Sequence, residues 1–112
     1  MLDINTREEG AATIIDIKGD VDLYSSPNLR KTVIGLTKKK VKNILVDLSA
    51  VGYMDSSGVA TLVEGLQQVG KYKGSLKLFG LDSAVKEVFE LSRLDKVFEI
   101  YRTEKEALSE VN

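Results

Sequence analysis

The sequence predicts an α/β fold: a mixed, mostly parallel sheet that opens with a β-hairpin and carries about four helices, mainly on one face. Three observations predict it. After the first strand, segments with strand-like alternation or short apolar runs take turns with segments whose apolar residues recur every three to four positions. That order implies parallel strands joined by right-handed crossovers. Two extended segments at the start are separated only by a turn at Glu9-Gly10, so they pair as a hairpin. The helical segments are few and short, which favours cover of one sheet face. With 112 residues, the chain is expected to form one domain over 1–112, long enough to bury a core without disulfides or metal staples.

The elements follow in order. Leu2 to Arg7 is the first extended piece. In the next, Thr13, Ile15 and Ile17 share a face while Asp16 and Lys18 share the other, the pattern of a half-buried strand. Gly19-Asp20-Val21-Asp22 is expected to break that strand. Tyr24-Ser25-Ser26-Pro27 reads as a helix start, with a serine as cap and proline in the first turn, where its missing N–H has no partner to lose. Leu29, Val33 and Leu36 then form one apolar stripe, and the lysines after them suit the negative end of the helix dipole.

Ile44-Leu45-Val46-Asp47-Leu48 is a nearly continuous apolar run, so it predicts a central strand covered on both faces. A loop is expected from Ser49 to Asp55. Val59, Leu62, Val63, Leu66 and Val69 then predict a helix over Ser57 to Val69, with Gly70 and Gly74 framing its exit. Leu76 to Phe79 is the next strand. Asp82 caps a helix whose inward face is Val85, Val88 and Phe89. Val97 to Tyr101 is extended, and Thr103-Glu104-Lys105-Glu106 is a capping box that opens a short final helix.

Composition excludes many chemistries. The chain has no Cys and no His, which removes disulfides, thiolate nucleophiles, imidazole metal sites, Ser-His-Asp hydrolases and phosphohistidine relays. The 16 basic and 17 acidic residues leave a net charge of -1, without the basic excess of a nucleic-acid binder. Lys38-Lys39-Lys40 is the one basic run, and it reads as a solvated helix end. No apolar run approaches membrane-spanning length, and the start of the chain lacks the pattern of a signal peptide. The expectation is a cytoplasmic protein with no catalytic activity, cofactor, metal, nucleic-acid or membrane partner.

The most informative stretch is Val51-Gly52-Tyr53-Met54-Asp55-Ser56-Ser57-Gly58, which joins the central strand to the strongest helix. In open α/β sheets, ligands and modifications gather beyond the carboxyl ends of strands. Asp and Ser here serve helix capping, but a cap needs one such residue and three stand in a row. A serine hydroxyl at this position points off the sheet edge near unpaired N–H groups, where a phosphate can be accommodated. Gly58, in the first turn, leaves the backbone open to close approach.

Two decoys are set aside. Gly65 to Lys71 matches the glycine and lysine spacing of a phosphate-binding loop, but Tyr72 stands where Ser or Thr should bind magnesium. The stretch also lies on a helix instead of opening one. Asp20, Asp22, Asp47 and Asp55 could gather to hold Mg²⁺ in the manner of a phosphoaspartate receiver. Such receivers, however, begin with a strand running into a helix, with their acidic pair after the first strand.

Asp55-Ser56-Ser57-Gly58, after a strand ending Val46-Asp47-Leu48 and before Val59-Ala60, resembles the signature of the bacterial anti-sigma factor antagonists, the small single-domain STAS proteins. Gly19-Asp20-Val21-Asp22 resembles the turn before their first helix, and Asp82-Ser83-Ala84-Val85 the start of their third. The resemblance covers nearly the whole chain and implies a STAS-like fold in the element order read above. It also implies a function. The unphosphorylated protein would bind an anti-sigma factor serine kinase and free the sigma factor, phosphorylation would end that binding, and a PP2C-type phosphatase would reverse it. The acceptor implied is Ser56, with Ser57 as the alternative. Partner contacts would come from Asp22, Tyr53, Met54, Asp55, Ser56, Ser57, Gly58 and Val59. A STAS interaction module without a phosphoswitch, in a stress complex or beside a transporter, is the rival reading.

Overall fold

A computed structural model describes residues 2–111. The hairpin pairs β1 (Asp3–Glu9) with β2 (Ala12–Val21) antiparallel, from Asp3 opposite Lys18 to Glu9 opposite Ala12. The chain continues as α1 (Ser26–Lys38), β3 (Asn43–Met54), α2 (Ser56–Gly70), β4 (Ser75–Phe79) and α3 (Ser83–Leu91). A turn of 3₁₀ helix, β5 (Glu99–Tyr101) and α4 (Glu104–Ser109) follow. The strands lie in the order β1-β2-β3-β4-β5, and every pair after the first is parallel. This is the element order and sheet type expected from the sequence.

Alternation along the strands sorts side chains to two faces. Ile15, Ile17, Ile44, Val46, Leu48, Leu76 and Leu78 face one way and form the main core with Leu29 and Val33 of α1, Leu62 and Val69 of α2, and Val85 and Phe89 of α3. Phe89 meets the edge of Phe98 at a ring separation of 5.6 Å. Ile14, Leu45 and Phe79 face the other way and are covered by α4 through Ala107. Three helices therefore share one face and the short α4 takes the other. Leu45 between Ile44 and Val46, all fully buried, explains the unbroken apolar run of β3.

Ion pairs add to the apolar packing of the α4 face. Arg7 on β1 donates from Nε to Asp16 at 2.6 Å and from Nη1 and Nη2 to Glu104 on α4. Both carboxylates are held below their ordinary range, in each case chiefly by the hydrogen bonds from Arg7. Thr103 caps α4 by accepting from the Glu106 N–H, but the returning Glu106 carboxylate accepts from the Arg102 N–H instead of that of Thr103.

β5 starts at Glu99 and not at Val97, which ends the 3₁₀ turn, and two further boundaries near the candidate site also differ from the sequence reading. Gly19 does not end β2, which runs to Val21, and the segment Ser49 to Met54 is strand and not loop. The two strands stay paired past Gly19, with Asp20 opposite Tyr53 and Val21 opposite Met54. They do so through register shifts around Gly19, whose φ of 118° lies where side chains are strained. The consequence for function is direct, because this extension carries Tyr53, Met54 and Asp55 out beside Val21 and Asp22.

Candidate functional site

The site is the carboxyl edge where β3 ends and α2 begins. Asp55 is the N-cap of α2, in an extended conformation, and its Oδ1 accepts from the Ser57 N–H at 2.9 Å and the Gly58 N–H at 3.4 Å. Its own N–H donates to the Val21 carbonyl at 3.0 Å, which ties the start of α2 to the end of β2. Ser56 is the first helical residue and is exposed, whereas Ser57 is half-buried. The expectation of free N–H groups ready for a phosphate is therefore corrected. Asp55 already occupies two of them.

Gly58 is corrected as well. A Cβ there would lie 2.6 Å from Val21 Cγ1 and 2.8 Å from Met54 Cγ, so the glycine lets the helix backbone close on β2 and β3. The close approach is internal and not to a partner. Met54 and Val59, 2% and 6% exposed, belong to the core beneath the edge. With Gly58 they position the site and offer no area to a partner, contrary to the expected contact set. Of that set, Tyr53 is 52% exposed, Ser56 is exposed, and Asp22, Asp55 and Ser57 are half-buried.

Asp22 stands on the adjoining β2–α1 loop. Its Oδ1 accepts from the N–H groups of Tyr24 and Ser25, each at 2.9 Å. The backbone N–H of Ser25, foremost, holds its carboxyl below the usual carboxylate range. The Ser25 hydroxyl also accepts from the Asp22 N–H and donates to the Asp20 carbonyl, both at 2.9 Å. Ser25 is thus the residue before α1, but its hydroxyl makes no capping bond to the helix, unlike the cap read from the sequence. It locks the loop instead.

The four aspartates weighed as a cation site do not converge. Asp47 lies on the α4 face of the sheet beside Asp16, and its Oδ1 accepts from the N–H and hydroxyl of Ser49. Burial, foremost, pushes its carboxyl up, and the neighbouring Asp16 adds to this. Among the described residues, no three acidic side chains form a group that could hold a metal ion. The segment with phosphate-loop spacing is interior to α2 up to Gly70, and a Cβ at Gly65 would lie 2.6 Å from Val33 Cγ1 of α1.

Two residues of this edge escaped the sequence reading. Leu23 and Tyr24, 65% and 89% exposed, project from the β2–α1 loop. The available signal was two large apolar residues inside a polar turn, Asp22 to Ser25, where neither belongs to an apolar stripe.

A strand-end serine at an Asp-capped helix, on this strand order, belongs to a known class of domain. The chain belongs to the STAS domain family, which matches residues 3–107. It is similar to the anti-sigma-B factor antagonist of Bacillus subtilis (strain 168), with 33% identity over 86 residues, 77% of this chain and 78% of that protein. Among solved structures, an anti-sigma factor antagonist from Mycobacterium paratuberculosis superposes with a TM-score of 0.90 at 23% identity, covering 97% of this chain and 92% of that one. The Bacillus cell fate determinant SpoIIAA, in its phosphorylated form, gives a TM-score of 0.77 at 20% identity, covering 98% of this chain and all of that one (100%). These two likenesses show the fold.

Proposed function

We propose that this chain is an anti-sigma factor antagonist whose unphosphorylated form binds an anti-sigma factor serine kinase and thereby releases a sigma factor, and that phosphorylation of Ser56 switches it off. A PP2C-type phosphatase resets it. The chain acts by binding in the cytoplasm and carries out no turnover of its own. The observation that carries this reading is the setting of Ser56. It is an exposed hydroxyl at the first position of α2, on an edge where Asp55 already occupies the N–H groups of Ser57 and Gly58. The similarity to the anti-sigma-B factor antagonist supports the partner class.

The switch is electrostatic. A phosphoserine adds about −1.5 to −2 charges. No Lys or Arg occurs between Asn43 and Lys71 or between Gly19 and Leu29, so neither segment of the edge brings a cation to meet it. Arg30, the next one along, is engaged by Glu64 through two bonds of 2.7 and 2.6 Å. The phosphate would stand beside Asp55 and Asp22, and burying it against a partner would leave it unpaired. A loss of about 3 kcal/mol already weakens binding more than a hundredfold. Exposure favours Ser56 over the half-buried Ser57 as acceptor.

The test is phosphorylation by a purified serine-kinase anti-sigma factor with Mg-ATP, peptide mapping by mass spectrometry, and binding of both forms to that kinase. The expected result is one phosphate on Ser56 and binding by the unmodified form alone. Equal binding by both forms would refute the switch.

A further inference from the structure

We propose that Leu23 and Tyr24 anchor the kinase, which receives them in an apolar pocket. This rests on the reading of the Ser56 edge given above and adds a recognition element separate from the serine. Leu23 and Tyr24 are 65% and 89% exposed, so folding leaves most of their surface uncovered. The backbone beneath them is nonetheless fixed. The Asp22 carboxylate holds the N–H groups of Tyr24 and Ser25, and the Ser25 hydroxyl bridges Asp22 and Asp20. A rigid loop that displays two large uncovered side chains loses little freedom on binding, and such side chains carry much of the energy of an interface.

The position of the loop names its occupant. The Asp55 N–H to Val21 carbonyl bond joins it to the start of α2, and Tyr53 pairs with Asp20 across the strands. The loop that carries Leu23 and Tyr24 and the strand end that carries Tyr53 therefore adjoin the start of α2, on the edge the kinase must reach to phosphorylate Ser56. The other large exposed apolar residues, Leu91 and Val97 at 78% and 56%, lie at the far end of α3, where the chain turns back to begin β5. They are equally bare and away from Ser56, which makes them the internal control.

The experiment measures affinity for a purified serine-kinase anti-sigma factor and steady-state phosphorylation of Ser56. It compares the wild-type chain with Leu23→Ala/Tyr24→Ala and Leu91→Ala/Val97→Ala. The loop double variant is expected to bind about tenfold or more weakly and to raise KM by a similar factor with kcat unchanged, since uniform binding is what it removes. Its thermal unfolding should match the wild type, because exposed side chains are truncated. The Leu91/Val97 variant should be unchanged. A loop double variant that binds within about twofold of a wild type still phosphorylated on Ser56 would overturn the anchor while leaving the proposed function standing. A wild-type chain neither bound nor phosphorylated would overturn both.

Discussion

Two helices of this protein begin in nearly the same way. α2 follows Asp55 and α3 follows Asp82, each aspartate extended and accepting hydrogen bonds from its own helix. In both, the next residue is an exposed serine, Ser56 or Ser83, at the carboxyl end of neighbouring strands. The difference begins at the third helical position. Val85 is a fully buried core side chain, whereas Gly58 lets backbone take that space against Val21 and Met54. The difference continues at the surface. Lys86 stands three residues beyond Ser83, while Ser56 is flanked by Tyr53 and the Asp22 loop and has Val59 at the equivalent place. An Asp-Ser helix start is therefore only a scaffold. What sets Ser56 apart is an uncovered apolar surface and the lack of a neighbouring cation.

The largest expected effect separates the two serines outright. With the kinase and Mg-ATP, Ser56→Ala should take up no phosphate, while Ser83→Ala and Ser57→Ala should be modified like the wild type. Peptide mapping reads this directly. Phosphate on Ser83 of the Ser56→Ala variant would mean that the capped serine alone is the signal, and the comparison would collapse.

Much of this was legible in the sequence, for reasons that differ along the chain. α2 was legible because Val59, Leu62, Val63, Leu66 and Val69 repeat at helical spacing on a chain that buries Leu62 and Val69 fully. β3 was legible from Ile44 to Leu48 because both faces are covered there. Its extension to Met54 was not, because Ser49, Gly52 and Tyr53 point away from the main core and the pairing depends on a register shift at Gly19. Asp55 could be read as a cap from its type and place. The inward role of Gly58 could not, since it depends on which side chains β2 and β3 put beneath it. The Arg7–Asp16–Glu104 cluster was also hidden, because Arg7 and Glu104 are 97 residues apart and nothing local links them.

Next in size are the packing effects at the third helical position. Gly58→Ala forces a methyl into contacts of 2.6 and 2.8 Å and should destabilise the fold by about 1–3 kcal/mol. Val85→Ala errs in the opposite direction, removing buried methyls, and should lose about 2 kcal/mol. Urea unfolding of both checks the pair. A Gly58→Ala variant as stable as the wild type would show that α2 can slide outward, and the tight closure at this start would then carry no weight.

The caps come third. Asp55→Ala and Asp82→Ala should each destabilise by about 1 kcal/mol, with the Asn variants close to wild type because an amide oxygen can accept the same bonds. Asp55 accepts from two N–H groups and Asp82 from one, so Asp55→Ala should be the more damaging of the two. The same urea titrations read the order, and a reversed order would show that the second, 3.4 Å bond adds nothing.

The smallest effect probes the surroundings without any kinase. A carboxylate at the first position of a helix gains about 0.3–1 kcal/mol from the dipole at low salt. Ser83→Asp should realise that gain, because Lys86 three residues on offsets the like charge of Glu87 four residues on. Ser56→Asp meets the same dipole and likewise follows a cap aspartate, but it has no lysine at that spacing, and it adds a charge near the Asp22 loop. Repulsion there offsets the gain, so Ser56→Asp should unfold at nearly the wild-type denaturant concentration while Ser83→Asp unfolds later. The gap is made of exposed charges, so it should shrink as salt rises and the Debye length falls to about 3 Å at 1 M. A gap that persists at high salt would trace to packing and not to charge. Equal gains at both serines would show that the acids around Ser56 lie too far off to act on a phosphate there.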